Sequence, residues 1–262
     1  MPCRRKDSSP MSEITESTSW VRRFHPAPDA PARLVCFPHA GGSASFYFPM
    51  SKALSGDLDV LNLQYPGRQD RRHEPVIADL GRLADETAEV LRPWLDRPVA
   101  FFGHSMGAVL AFETALRLER EHAFSPVRLF ASGRRAPSTS RDESVHLRDD
   151  EGILAELKLM SGTDARLLGD EEILRMSLPA IRGDYQAVET YQAEPAAAVR
   201  CPIDVLTGDD DPKTTIAEAR AWQEHTTGGF DLTVFAGGHF FLAHHQKEIT
   251  AHIRNRTAAV AR

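Results

Sequence analysis

Short continuous runs of apolar residues recur along the chain and predict buried β-strands. They do not alternate with polar residues, which is typical of parallel strands covered by helices on both faces. Stretches with apolar residues every three or four positions lie between them, as in 76–94 and 106–120, and predict helices. The repeating order favours a doubly wound, mainly parallel α/β sheet. The predicted strands are Arg33–Phe37, Leu58–Gln64, Pro98–Phe102, Val127–Ala131, Pro202–Leu206 and Phe230–Phe235, with later helices at 217–225 and 240–256.

One long interval interrupts this alternation. Between residues 138 and 199 no run has strand character, and a loop of that length without helices is uncommon in a compact domain. We therefore predict a helical lid at 138–199, inserted into a core made of 20–137 and 200–262. The lid helices are predicted at 151–160, 171–181 and 185–191.

Composition and charge exclude several classes of protein. The 31 Lys and Arg against 37 Asp and Glu give a net charge of −6, the wrong sign for a general nucleic-acid binder. The three cysteines have neither CxxC nor Cys/His metal spacing, so no disulfide framework or zinc site is expected, and a reducing cytoplasm fits. Residues 1–19 lack the apolar segment of a signal peptide and are predicted to be a disordered tail. No run of 18 apolar residues occurs, so no membrane span is expected.

A Gly-x-Ser-x-Gly pentapeptide is the strongest chemical signal in the chain. It reads Gly103-His104-Ser105-Met106-Gly107 and lies between a predicted strand and a predicted helix. In that context the serine occupies a strained turn that exposes its hydroxyl, and the flanking glycines let neighbouring backbone approach. The following helix N-terminus favours negative charge on a reacting oxygen. Ser105 is therefore the predicted nucleophile, although the pentapeptide by itself also occurs in unrelated glycine-rich turns.

An acid and a base follow the predicted nucleophile. Asp209, Asp210 and Asp211 come after one predicted strand, and His239 comes after the last. The order of serine, acid and histidine is that of α/β-hydrolases. Distance from the strand end and the stiffening effect of Pro212 favour Asp211 as the acid, with Asp209 as the alternative.

Other histidines compete with His239 for the role of base. His104 adjoins the serine and is expected to face another way, whereas His244 and His245 are expected on the surface of the terminal helix. Their spacing from His239 matches no metal motif, so no metal site is predicted. The remaining competitor is His39.

The loop after the first predicted strand supplies a second element of the site. It reads Pro38-His39-Ala40-Gly41-Gly42-Ser43, and its small residues suit a pocket lined by backbone. We predict that the main-chain N–H groups of Ala40 and Met106 form an oxyanion hole, although a plain glycine-rich turn is the alternative. No GxGxxG or GxxxxGK[ST] motif occurs, so no nucleotide cofactor is expected.

These segments, taken together, resemble the stand-alone type II thioesterases that accompany polyketide synthases and non-ribosomal peptide synthetases. The resemblance runs from about residue 33 to 241. It rests on the oxyanion loop, the serine pentapeptide and four further segments, which are Tyr65-Pro66-Gly67-Arg68, Ser132-Gly133-Arg134-Arg135-Ala136-Pro137, Gly208-Asp209-Asp210-Asp211 and Gly237-Gly238-His239-Phe240-Phe241.

The resemblance implies an α/β-hydrolase fold and hydrolysis of acyl groups from the phosphopantetheine arm of an acyl or peptidyl carrier protein. Such an enzyme clears stalled or mis-primed chains. No cofactor is implied, because phosphopantetheine arrives on the partner as part of the substrate. A general carboxylesterase or acyltransferase acting on free small molecules is the alternative, and a ligand-binding homologue without activity is a third. Nothing in the sequence requires an oligomer, so a monomer is expected.

Arginines on predicted sheet-edge loops are candidates for binding an acidic carrier protein or its phosphate. Arg71 and Arg72 follow one strand, and Arg134 and Arg135 follow another, at the carboxyl edge where ligands bind. The alternative for Arg134 and Arg135 is internal ion pairing beneath the lid. Apolar lid residues are candidates for an acyl channel or for simple helix packing, namely Leu157, Met160, Leu178 and Ile181.

Overall fold

The structure is a computed structural model that describes residues 19–161 and 171–258. Residues 1–18 of the predicted tail lie outside these ranges, and only Ser19 of that tail is described. Residues 162–170 of the predicted lid also lie outside them.

The predicted parallel sheet is confirmed. Seven strands lie in the order β1-β3-β2-β4-β5-β6-β7, and every neighbouring pair is parallel except β1 with β3. β1 was not predicted, because two residues are too few to show a pattern. The strands are β1 Val21–Arg22, β2 Ala32–Phe37, β3 Leu58–Leu63, β4 Val99–His104, β5 Arg128–Ser132, β6 Ile203–Gly208 and β7 Phe230–Phe235.

Helices cover both faces of the sheet, which is why the central strands contain continuous apolar runs. On β2, Val35 and Phe37 belong to one hydrophobic cluster, whereas Leu34 and Cys36 belong to the other. The first cluster is completed by α2 and α3, and the second by α1 and α7. The helices are α1 Phe48–Leu54, α2 Leu80–Leu91, α3 Met106–Glu121, α4 Asp150–Ser161, α5 Glu171–Glu189, α6 Ile216–Arg220 and α7 Gln246–Ala258.

The second half of the predicted lid differs from expectation. The sequence predicted separate helices at 171–181 and 185–191, but α5 runs unbroken through both, even across Pro179. Gly183 does not end the helix. A Cβ at this position would lie 2.5 Å from Cγ1 of Val76, so the glycine lets α5 pack closely against the segment before α2.

The predicted helix at 240–256 is also wrong in its first half. A 3-10 turn at Phe241–Ala243 comes first, and α7 begins only at Gln246. His245 therefore precedes the helix, and its ring nitrogen Nε2 lies 2.9 Å from the carbonyl oxygen of Ala236. The predicted helix at 217–225 similarly divides into α6 and a 3-10 turn at Ala221–His225. None of the described helices is long and apolar enough to cross a lipid bilayer.

Candidate active site

Ser105 occupies the strained turn between β4 and α3. Its φ of 54° and ψ of −119° are unfavourable for an L-residue, and the turn persists because packing around it leaves no alternative. A Cβ at Gly103 would lie 2.0 Å from the carbonyl oxygen of Gly107, and a Cβ at Gly107 would lie 2.0 Å from that of Phe37. Both glycines are thus needed for α3 to pack against β4 and β2.

His239 and Asp211 are brought together by the loops after β7 and β6. Nδ1 of His239 lies 3.0 Å from both carboxylate oxygens of Asp211. Both residues are buried, and the main-chain N–H of Lys213 donates to Oδ1 of Asp211 at 2.8 Å. With Nδ1 facing the carboxylate, Nε2 is the nitrogen left to accept a proton.

The other two aspartates have different surroundings. Asp209 is exposed, and its Oδ1 accepts a hydrogen bond from the N–H of Gly237 at 2.8 Å. Asp210 is exposed and donates its own N–H to the carbonyl oxygen of Gly237 at 3.1 Å. These two residues fasten the acid loop to the loop that carries His239, and neither carboxylate makes a hydrogen bond with that imidazole.

Two of the competing histidines lie near His239, and for His104 this differs from expectation. The ring of His104 does not face away, because its centroid lies 5.0 Å from that of His239. His104 is completely buried, its Nδ1 lies 3.0 Å from Oγ of Ser132, and burial lowers its pKa well below the ordinary value. Burial, with the nearby His239 and Arg68, also lowers the pKa of His39 to about 3. Both rings are therefore neutral aromatic walls of the site at neutral pH.

The N–H groups of Met106 and Ala40 are available at the site. Met106 is the first residue of α3, where N–H groups have no partner within the helix. Within residues 19–161 and 171–258, neither N–H donates to another group. By contrast, Gly42 donates its N–H to the carbonyl oxygen of His39 at 2.8 Å.

A buried ion pair that the sequence reasoning missed holds the Ala40 loop. The guanidinium of Arg68 binds both carboxylate oxygens of Asp184, at 2.6 and 2.8 Å. The same carboxylate accepts the N–H of Gly41 at 2.7 Å, and Arg68 donates to the carbonyl oxygen of Gly42 at 3.1 Å. Asp184 lies on α5, so this lid helix is attached directly to the predicted oxyanion loop. The Pro-Gly-Arg segment was the available signal, but its partner is 116 residues away.

A cavity of about 110 Å³ joins these groups. Ser105, His239 and Ala40 border it on the core side, and apolar side chains of α4 and α5 border it on the lid side. Leu157, Met160 and Ile181 line it as the acyl-channel hypothesis requires, whereas Leu178 does not and is instead buried within the lid cluster.

Charged side chains form a second attachment between lid and core. Nζ of Lys213, two residues after Asp211, lies 2.8 Å from Glu143 and also pairs with Glu156 of α4. Glu143 pairs with Arg135 as well. Burial alone raises the pKa of Glu143, but the Lys213 hydrogen bond and the charges of Arg135 and Lys213 outweigh it and lower the pKa to about 2. This carboxylate is therefore ionised at neutral pH.

Three of the four arginines proposed for carrier docking are buried, so that prediction is wrong for them as surface contacts. Arg71 binds Glu74 and the carbonyl oxygen of Gln64, and its guanidinium lies 4.4 Å from the Trp20 ring. A guanidinium neutralised and enclosed in this way cannot reach a partner protein.

The alternative for Arg134 and Arg135, internal ion pairing beneath the lid, is confirmed for only one of them. Arg135 forms an internal ion pair beneath the lid, whereas Arg134 is buried beside the cavity and forms none with the residues that the structure describes. Arg72 alone of the four is exposed. No group of three or more His, Cys, Asp and Glu among residues 19–161 and 171–258 is arranged to hold a metal ion.

Comparison with known proteins gives the family. The Thioesterase domain family matches residues 32–257. A probable cadicidin biosynthesis thioesterase of Streptomyces griseus is 57% identical over 95% of this chain and 69% of its own length. The thioesterase PikA5 of Streptomyces venezuelae is 50% identical over 89% of this chain and 84% of its own length.

Solved structures agree. The type II thioesterase BorB from the borrelidin biosynthetic cluster superposes with a TM-score of 0.87 at 52% identity, covering 91% of this chain and 97% of BorB. The RedJ thioesterase from the prodiginine pathway of Streptomyces coelicolor superposes with a TM-score of 0.82 at 31% identity, covering 97% of each chain. With its parallel sheet and strand-to-helix serine turn, the chain belongs to the thioesterase domain family of α/β-hydrolase fold, among the type II thioesterases of polyketide and non-ribosomal peptide clusters.

Proposed function

We propose that the protein hydrolyses acyl thioesters carried on the phosphopantetheine arm of an acyl or peptidyl carrier protein, with Ser105, His239 and Asp211 as a catalytic triad. The observation that carries the proposal is the Asp211–His239 hydrogen bond at a lid-covered cavity that Ser105 also lines. The relatives in biosynthetic clusters support the substrate class.

Acylation begins when Nε2 of His239 accepts the proton of the Ser105 hydroxyl. Oγ then attacks the thioester carbonyl carbon, and the carbonyl oxygen becomes an oxyanion that accepts hydrogen bonds from the N–H groups of Ala40 and Met106. Asp211 stabilises the imidazolium that forms and keeps the ring in the required orientation. Collapse breaks the carbon–sulfur bond, and His239 returns the proton to the departing thiol.

Deacylation repeats these steps with water as the nucleophile. His239 removes a proton from water, hydroxide adds to the acyl-serine, and the proton passes to Ser105 Oγ as the carboxylic acid leaves. Every proton is accounted for by His239 and water, so the proposed reaction needs no metal or redox cofactor. The product on the carrier protein is a free pantetheine thiol, which fits the reducing cytoplasm proposed for this protein.

The lid-covered cavity supports a carrier-bound substrate over a free ester. The lid side chains Leu157, Met160 and Ile181 shield the acyl end from water, while the thiol end must extend out to its partner. A long phosphopantetheine arm attached to a protein outside meets that requirement. A free carboxylic ester, the substrate of a general carboxylesterase, has no such arm and no group that must extend out of the cavity.

The decisive experiment measures kcat/KM for matched acyl groups on a holo carrier protein, on pantetheine and on a simple alcohol, with Ser105→Ala as the control. We expect the thioesters to exceed the ester, the carrier-bound form to exceed pantetheine by about tenfold or more, and Ser105→Ala to be inactive. Equal rates on carrier and pantetheine would remove the carrier protein from the proposal. Faster ester hydrolysis would favour the carboxylesterase.

A further inference from the structure

Arg134 is a buried cation at the candidate active site that forms no hydrogen bond or ion pair within the described part of the chain. It lies in the loop after β5, borders the same cavity as Ser105, and has only 9% of its surface exposed. Its Nε is buried without an acceptor, and its guanidinium makes no hydrogen bond or ion pair with any residue of 19–161 or 171–258. The adjacent Arg135 pairs with Glu143, so the lack of a partner is particular to Arg134.

The nearby carboxylates are already engaged. Glu143 binds Arg135 and Lys213. Glu189 accepts the N–H groups of Val145 at 2.9 Å and of His146 at 3.1 Å, and also lies 2.6 Å from Nδ1 of that histidine. Burial lowers the pKa of Arg134 to about 10, which still leaves the guanidinium charged at neutral pH. A charged donor is therefore presented to whatever fills the cavity.

Apolar lid side chains face the same space, among them Leu157, Met160 and Ile181. A saturated acyl chain there would exclude water from the guanidinium and offer it no acceptor, which is unfavourable. A second cavity of about 270 Å³ shares Arg134, Val188 and Glu189 with the first, so Arg134 lies where the two adjoin. An acyl chain on Ser105 that extends from the first cavity toward the second would pass Arg134.

We propose that Arg134 is a specificity-determining residue that donates a hydrogen bond to a neutral keto or hydroxyl oxygen on the acyl chain. The proposal rests on the proposed function, since it concerns the acyl half of the same thioester. A neutral oxygen fits better than a carboxylate because Glu189, which forms no ion pair with an Arg or Lys of the described residues, borders the same cavity and repels an added negative charge. Oxygen-bearing acyl groups are thus the favoured substrates.

The test compares acyl groups that differ by one oxygen. Butyryl and 3-hydroxybutyryl form one pair, hexanoyl and 5-hydroxyhexanoyl form a second, and malonyl is added, all as pantetheine thioesters. For the wild type we expect kcat/KM to favour the oxygenated member of at least one pair by about tenfold. In Arg134→Met that ratio falls to near one, and Arg134→Lys keeps part of it.

Arg120→Met is the matched control, because Arg120 lies on α3 with an exposed side chain outside the cavity, and it should keep the wild-type ratio. A purely structural role for Arg134 would slow both members of a pair equally. That result overturns the proposal. A wild-type ratio near one for both pairs also overturns it, and this measurement does not depend on whether Arg134→Met folds. Malonyl exceeding 3-hydroxybutyryl overturns the preference for a neutral oxygen. Failure of the proposed function itself would give a different result, because then no thioester would be hydrolysed.

Discussion

Ser105, His239 and Asp211 come from strand ends of the core, whereas the opposite wall of the cavity comes from α4 and α5. On the core side, backbone packing at Gly103 and Gly107 and the burial of β4 fix the serine turn. On the lid side, the attachments to the core include the ion pairs of Arg68 with Asp184 and of Lys213 with Glu143 and Glu156.

Close packing on the core side and ion pairing on the lid side suit different functions. Close packing permits little displacement and suits groups that must keep hydrogen-bond geometry through a reaction. Ion pairs hold two elements together at a few points rather than over a continuous packed surface, which suits a wall that must admit an acyl chain. Substitutions on the two sides should therefore differ in their effects on activity, stability and acyl preference.

The largest effect is expected at the acid on the core side. Asp211→Asn should lower kcat/KM by about 10³–10⁴-fold, because an amide cannot stabilise the imidazolium of His239. Thioester hydrolysis is the measurement, and Asp209→Asn is the matched control. We expect that control to remain within about tenfold of wild type, since it perturbs only the Gly237 hydrogen bond. Comparable losses in both variants would contradict the assignment.

The next effect is at the pair that joins lid and core. Asp184→Asn leaves Arg68 buried without its carboxylate and should lower the free energy of unfolding by about 3–5 kcal/mol. It also loosens the Gly41 loop, so kcat should fall more than KM rises. Denaturant unfolding and steady-state kinetics measure the two effects.

Asp150→Asn is the control for that experiment, because Asp150 pairs with Arg182 across α4 and α5 with its side chain 60% exposed. Its cost should stay below about 1 kcal/mol. If Asp184→Asn is no more destabilising than this surface variant, the lid does not depend on the buried pair.

Two leucines of the lid separate packing from specificity. Leu178→Ala should lower the free energy of unfolding by about 2–5 kcal/mol without altering acyl preference, because Leu178 is buried but does not line the cavity. Leu157→Ala should instead raise the kcat/KM ratio of octanoyl to propionyl by about tenfold. The same preference in both variants would place the acyl chain elsewhere.

Acid should weaken the lid through Glu143. Its pKa is lowered from 4.5 to about 2 in the folded protein, so its contribution is present above pH 4.5 and is lost as the pH falls toward 2. After allowance for partial exposure, the contribution is about 1–2 kcal/mol. The Tm gap between wild type and Glu143→Gln should shrink from pH 5 to pH 2.5, while Glu86→Gln, at a partly exposed position of α2, should show no such trend.

The smallest effect is expected at Arg72, the exposed member of the proposed docking set. Arg72→Glu should lower kcat/KM for a carrier-bound thioester by about threefold at low salt, because one rim charge contributes little. Hydrolysis of the pantetheine thioester should not change. An equal effect on both substrates would rule out contact with the carrier protein.

Sequence alone determined the elements whose signals are local. Continuous apolar runs predict buried strands, and Gly103-His104-Ser105-Met106-Gly107 predicts the serine turn because Gly103 is needed for close backbone packing against Gly107 within the same pentapeptide. The candidate acid and base were likewise found by their positions after strands. Elements shorter than a period, such as β1, gave no pattern.

Only the tertiary structure decided which distant groups meet. Arg68 and Asp184 are 116 residues apart, and neither local propensity nor periodicity reports a pairing of that range. The same holds for the burial of Arg71 against Trp20 and for the lone position of Arg134 at the cavity. Charge is written in the sequence, but whether a charge faces solvent, a partner or a cavity depends on the packing of elements from different parts of the chain.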